Sequence, residues 1–230
     1  MSMVTLTAEA GRASDPGLWM HGLTKYERIQ LVRRLGLNTE VNVLIASEAD
    51  WERNRAFLSG HSMYSVRTFR TPRWSGPEPH FAIMEVSELQ AQYRHLLANG
   101  LSLIVAEPVD PADAELAGCL MVQADHFLAE VAFGPGTVRR VTHDGDIDRI
   151  VSISATNPSG DSRLDEAVRE ARQALRAIVH IPFYELQGLI FEFSWYRVPV
   201  GWQQKQLIFW EVAGSVAQEA LLERFLGGRS

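Results

Sequence analysis

Residues 183–213 constrain the fold of this chain more than any other stretch. Phe183-Tyr184-Glu185-Leu186-Gln187-Gly188-Leu189-Ile190-Phe191-Glu192-Phe193-Ser194-Trp195 is rich in aromatic and β-branched residues, Val198-Pro199-Val200-Gly201 supplies turn chemistry, and Gln206-Leu207-Ile208-Phe209-Trp210-Glu211-Val212 runs back. The pattern predicts a β-hairpin that buries at least one face. Two carboxylates, Glu192 and Glu211, lie within it. A carboxylate removed from water must be paired, bound to a cation or protonated. The pattern leaves two readings open: a divalent-metal or acid/base pair, or one carboxylate at each solvated strand edge, since alternation sends half of a strand's residues outward.

Upstream of the hairpin the chain divides by pattern. Residues 1–23 read as a loose leader, punctuated by Gly11 and Ser14-Asp15-Pro16-Gly17. Thr24 and Glu27 have the capping-box spacing, and Tyr26, Ile29, Leu31, Val32 and Leu35 make a helical apolar face that Gly36 ends. Strands are expected at 41–45, 64–69, 81–85 and 101–106, with helices at 49–58 and 86–99. Residues 71–80 hold three prolines and a glycine and must be a loop. After Glu107-Pro108-Val109-Asp110-Pro111 the alternation gives way to consecutive strands at 117–122, 126–133, 138–142 and 149–154. Helices follow at 164–179 and, beyond the hairpin, at 216–226. The expected class is α+β with two lobes: a mixed α/β lobe over 24–105 and an antiparallel-sheet lobe over 106–230.

Composition excludes several functional classes. The chain of 230 residues has a formal charge of −6 and a pI near 5.7, which argues against a broad nucleic-acid footprint. No run approaches the ~18 consecutive apolar residues that span a bilayer, and residues 1–15 lack the apolar core of a secretion signal. The single cysteine, Cys119, excludes an intramolecular disulfide and a Cys-rich zinc site. A cytoplasmic protein without membrane or nucleic-acid partners is the expectation. No Gly-x-Ser-x-Gly elbow, P-loop or Rossmann fingerprint occurs. The seven histidines are dispersed, and His143-Asp144-Gly145-Asp146-Ile147-Asp148 lacks the downstream Glu of a calcium loop and reads as a turn. Trp202, beside the hairpin turn, reads either as a partner surface or as edge protection.

The order of these features resembles the ATP-grasp superfamily, and more loosely the nucleotide-binding half of phosphoenolpyruvate-synthase and pyruvate-phosphate-dikinase type enzymes. The residues that carry the resemblance run from about 24 to 213. They are Lys25 opening a helix that ends in Leu35-Gly36-Leu37-Asn38-Thr39, the strand Tyr64-Ser65-Val66-Arg67-Thr68-Phe69, and the hinge Ile104-Val105-Ala106-Glu107-Pro108-Val109-Asp110. Glu130, Gly134-Pro135-Gly136-Thr137-Val138-Arg139, Glu192 and Glu211 complete the set.

The resemblance implies ATP and magnesium bound between the lobes. Arg67 and Lys25 would neutralise phosphate, the backbone around Ala106 would meet the adenine edge, and Glu107 or Asp110 would hold the ribose. Glu192 and Glu211 would carry magnesium and Arg139 would steady the transferring group. The implied activity is an ATP-dependent ligase that activates a carboxylate as an acyl phosphate, and the expected partner is a small-molecule carboxylate substrate or a protein. Two departures favour an alternative, a non-catalytic binding or assembly subunit. Ala213 stands where the family's Glu-x-Asn places its asparagine, and loop 71–80 lacks a glycine run. Oligomeric state, a homo-oligomer included, is left open.

Overall fold

Thr24 and Gly36 bracket the first helix, α1 (Lys25–Arg34). Its C-terminus closes as a Schellman motif: Gly36, at φ +77°, donates to the Arg33 carbonyl and Leu37 to that of Val32. Leu37 then joins Leu31 and Val32 in one buried cluster, the apolar contact that accompanies this cap.

The structure, a computed structural model, describes residues 23–70, 80–176, 183–215, 218 and 222. The expected leader over 1–22, the loop core 71–79 and the expected C-terminal helix, of which only 218 and 222 are described, lie outside these residues. Two compact units form. The smaller comprises Thr24–Tyr26 and Glu40–Asp110; the larger comprises Leu23, Glu27–Thr39 and the described residues from Pro111 onward. The sequence expectation kept all of 24–105 together. From Glu27 onward α1 instead belongs to the larger unit, because Leu31, Val32 and Leu35 are part of that unit's core.

In the smaller unit the chain runs β1 (Asn42–Ile45), α2 (Glu48–Arg53), α3 (Arg55–Leu58), β2 (Met63–Arg70), β3 (His80–Glu85), α4 (Val86–Ala98) and β4 (Leu101–Ala106). Every strand pair is antiparallel, in the order β1-β4-β2-β3. The single helix expected over 49–58 is broken at Asn54, whose side chain and backbone N–H both turn back to the Asp50 carbonyl. Tyr64, Val66, Leu103 and Val105 point to the face covered by Trp51, Leu89 and Tyr93. Trp51 and Tyr93 stack at 3.9 Å. Arg67 and Ile104, opposite each other in register, fall by alternation on the other face.

In the larger unit β5 (Ala114–Val122), β6 (Phe127–Phe133), β7 (Arg149–Ile153), β8 (Ile190–Val200) and β9 (Lys205–Ala213) form an antiparallel sheet in the order β7-β6-β5-β8-β9. Helix α5 (Ser162–Arg176) lays Leu164, Val168, Ala171 and Leu175 onto one sheet face with Phe127, Phe191, Phe193 and Phe209. The molecule is therefore α+β, as the sequence indicates.

Three local expectations are corrected. Residues 138–142 are helical, not a strand, and continue through a π-helical turn (Arg140–Asp144). Arg140 holds that turn by reaching Asp146, Asp148 and the Phe133 carbonyl at 2.6–3.0 Å. Phe183–Leu186 is a 3-10 turn, and the strand starts only at Ile190. The hairpin reversal sits after Val200, at residues 201–204, with Gly201 and Gln204 both at positive φ. Val198 and Pro199 belong to β8.

That reversal is clamped to the end of α1. The Asn38 amide donates to the carbonyls of Val200 (2.9 Å) and Leu207 (2.8 Å), and its oxygen accepts from Gln203 N–H (2.9 Å). Trp202 donates its indole N–H to the Leu37 carbonyl and lies under the Arg33 guanidinium. Gly201 is required here, because a Cβ would come within 2.6 Å of Asn38 Oδ1 and the Thr39 carbonyl. Trp202 is thus an anchor of the hairpin tip, a use covered by neither sequence reading.

Candidate functional site

Glu192 and Glu211 stand directly opposite each other on β8 and β9. Strict alternation does not produce this pairing. Phe193 pairs with Phe209 on the core face, so an uninterrupted β9 would send residue 211 to the same side. A bulge inserts Trp210, which bonds Ser194 Oγ at 2.8 Å. The extra residue reverses the parity, returning Val212 to the core and placing Glu211 beside Glu192 on the opposite face.

Register extends this pair into a row. Cys119 on β5 lies between Glu192 on β8 and Glu130 on β6. Three carboxylates thus share one sheet face, with the outer two of the Glu130-Cys119-Glu192 trio about 10 Å apart at normal strand spacing. Glu130 is completely buried. The small side chains Ala117 and Ala132, with Val141, surround Cys119 there. Burial, reinforced by Glu192, Glu130 and Glu211, pushes the Cys119 thiol well above its ordinary pKa. Cys119 is a protonated core thiol, and a thiol reagent such as iodoacetamide is expected to leave it unmodified in the native protein. Mass spectrometry should find the single adduct only after denaturation; rapid native labelling would contradict this environment.

Arg28, on α1, approaches Glu211 Oε1 at 3.2 Å with both side chains largely buried. Neither Arg28 nor Glu130 had an assigned role from sequence. The available signal for Arg28 was its place next to Ile29 on a helix whose Ile29, Leu31 and Val32 are all buried, where a basic side chain needs a partner.

The remaining candidate residues belong to both units. In the smaller unit Arg67 is buried and ion-paired with Glu40, itself 1% exposed. Ala106 ends β4, fully buried. Glu107 is occupied at both ends by Val41: its N–H donates to the Val41 carbonyl and its carboxylate accepts the Val41 N–H at 3.1 Å. Asp110 is exposed. Lys25 is half-buried at the start of α1, with no ion pair among the described residues. In the larger unit Arg139 is 78% exposed, on a helical turn, and lies 3.6 Å from Asp144.

Solved structures give the comparison. Three of the solved structures that match this chain, each at a TM-score below 0.5, are a macrocyclase and two ligases. The macrocyclase MdnC of Microcystis aeruginosa MRC, bound with precursor peptide MdnA, is 8% identical with a TM-score of 0.44, matched over 98% of this chain and 64% of that one. A RiPP-associated ATP-grasp ligase of Chryseobacterium gregarium, in complex with ADP and a leader and core peptide, is 11% identical with a TM-score of 0.44, over 88% and 56%. D-alanine-D-alanine ligase of Helicobacter pylori is 8% identical with a TM-score of 0.47, over 88% and 58%. This chain thus spans less than two thirds of the length of these three. No protein-family profile and no curated protein matches the sequence.

Whether the residues suit magnesium depends on the oxygen donors they supply. Among the described residues no three or more His, Cys, Asp or Glu side chains converge as a metal cage. Glu192 and Glu211 alone fit a magnesium ion that draws its other oxygens from water and phosphate, the usual arrangement for that ion. Arg28 engages one oxygen of Glu211; the second remains available as an acceptor, since a carboxylate offers about four lone-pair sites. No helix among the described residues is long and apolar enough to cross a membrane.

Proposed function

We propose that this protein is an ATP-grasp-like ligase that binds ATP with magnesium and activates a carboxylate. The observation that carries the reading is the opposed pair Glu192 and Glu211, brought together by a bulge at the expense of regular strand pairing. Magnesium, when bound with ATP, would supply neutralisation of the charge that develops on the phosphates. Glu192 and Glu211 would hold that ion, Lys25 and Arg67 would neutralise phosphate, and the chain around Ala106, Glu107 and Asp110 would receive the nucleoside. A substrate carboxylate oxygen attacks the γ-phosphorus, the β–γ bridge bond breaks and ADP leaves. An amine or other nucleophile then attacks the acyl carbon and expels phosphate. Arg139 is assigned to the transferring group on the resemblance alone.

Thermal unfolding with ATP and magnesium tests the binding step. Ligand at ~100 times its dissociation constant stabilises by about 2.7 kcal/mol, a clear rise in melting temperature. The rise should need both ATP and magnesium and vanish with EDTA. No shift at millimolar nucleotide overturns the reading.

A second reading, a non-catalytic binding or assembly subunit, is favoured by a specific observation. Arg67 is neutralised by Glu40 and Glu211 by Arg28, so groups expected to face a ligand already have internal partners. A melting shift without release of ADP or phosphate in the presence of carboxylates and amines would select it.

A further inference from the structure

β7 is a terminal strand of the five-stranded sheet, paired only with β6 among the described strands. Its outer edge therefore presents backbone N–H and C=O groups that no described strand takes up. Beside the end of β7 runs a groove of about 400 Å³, walled by Ile153, Ser154 and Ala155 on one side and by Arg169, Arg172 and Arg176 of α5 on the other. Val168 forms its floor. The positive charge of this wall is weakly balanced. Arg169 meets Glu166 only at 3.6 Å with two thirds of its side chain exposed. Arg172 lies over the Phe127 ring, and neither it nor Arg176 has an ion pair among the described residues. The acid in the lining, Asp165, already accepts the Ser159 N–H at 2.7 Å.

We infer that this groove binds an extended acidic peptide segment, which adds a strand to β7 and directs alternate carboxylates at the α5 arginines. The spacing agrees with that mode. Side chains on one face of a strand repeat about every 6.7 Å, and Arg172 and Arg176 are separated by about 6 Å along the helix axis. Main-chain pairing supplies the register, and guanidinium–carboxylate pairs, with their charge-assisted hydrogen bonds, supply selectivity for acidic sequence. The chain carries net negative charge overall, so the arginine row is a local reversal of sign that attracts acidic segments and repels basic ones. The occupant is a partner peptide, a site separate from the carboxylate row and independent of nucleotide binding.

Fluorescence anisotropy of the full-length protein with labelled (Glu-Val)₄ tests this, beside (Lys-Val)₄ and a (Glu-Val)₄ variant with proline at alternate positions. The acidic peptide should bind, weakening as salt is raised. The lysine peptide and the proline peptide should each bind at least about tenfold more weakly, the first for charge and the second for lost ladder bonds. Arg172→Glu/Arg176→Glu, which alters surface side chains and should leave circular dichroism unchanged, should weaken (Glu-Val)₄ by at least about tenfold. Equal binding of the proline peptide overturns strand addition. Unchanged affinity in the arginine variant, or no binding of (Glu-Val)₄ at millimolar concentration, overturns the site. Self-association of the protein without peptide binding would assign the edge to a second copy and also overturn it.

Discussion

Asn38→Ala will destabilise the larger unit by about 3–4 kcal/mol, seen in urea as a lower midpoint with an unchanged slope. Asn38 is fully buried, and its amide saturates three backbone groups around the hairpin reversal: two carbonyls and the Gln203 N–H. Alanine fills none of these roles and leaves them unsatisfied in a place closed to water, where each orphan costs about 1–3 kcal/mol. Asn38→Asp should be comparably damaging, since it keeps the acceptor for Gln203 but turns an oxygen onto two carbonyls. The neighbouring residue is the control. Thr39 is equally buried, yet its hydroxyl has no hydrogen-bond partner among the described residues. Thr39→Val should therefore be neutral or stabilising by up to about 1 kcal/mol. If both positions lose stability alike, burial alone, and not the amide bracket, anchors the hairpin.

The contrast between these two residues shows what the sequence made legible. Helix α1 was readable because its signals are local: the Thr24 and Glu27 spacing lies at its start, Gly36 closes its end, and the apolar period runs between them. The hairpin was readable because Phe191, Phe193, Leu207 and Phe209 alternate along it. Asn38 was not, since its partners lie more than 160 residues away and nothing in Leu37-Asn38-Thr39 distinguishes a bracket from an ordinary turn. Residues 138–142 were misread for a related reason. Their β-branched composition favours a strand, but Arg140 closes onto Asp146 and Asp148, and that fork outweighs propensity.

Within the candidate site the same limit applies. That Glu192 and Glu211 belong to paired strands followed from the pattern, but that they share a face did not. Alternation from Phe209 sends Glu211 to the core, and only the inserted Trp210 reverses it. Cys119 and Glu130 completed the row through β5 and β6, and the pairing of β5 with β8 that joins them to Glu192 is set by sheet order and not by adjacency in sequence. Arg67 was legible as a basic residue in the middle of a strand but its burial was not, and Glu40, its partner, gave no sign of burial in the segment before β1.

Glu192→Gln and Glu211→Gln should each remove about 1.4 kcal/mol or more of the magnesium-dependent stabilisation by ATP, a roughly tenfold loss of affinity. Either substitution keeps the side-chain shape and lowers the charge of a donor pair that magnesium would need intact. The sign of the effect without ligand is the sharper discriminator. Two carboxylates directly opposite each other on adjacent strands repel, a cost of up to about 1 kcal/mol that either substitution relieves. Glu211→Gln mixes that relief with a weaker bond to Arg28. A residue whose neutral variant is more stable but binds magnesium and nucleotide less well is maintained for the ligand and not for the fold. Variants that are both less stable without ligand and unchanged in magnesium dependence would make this row a structural feature of the sheet, and the ligase proposal would lose the pair on which it stands.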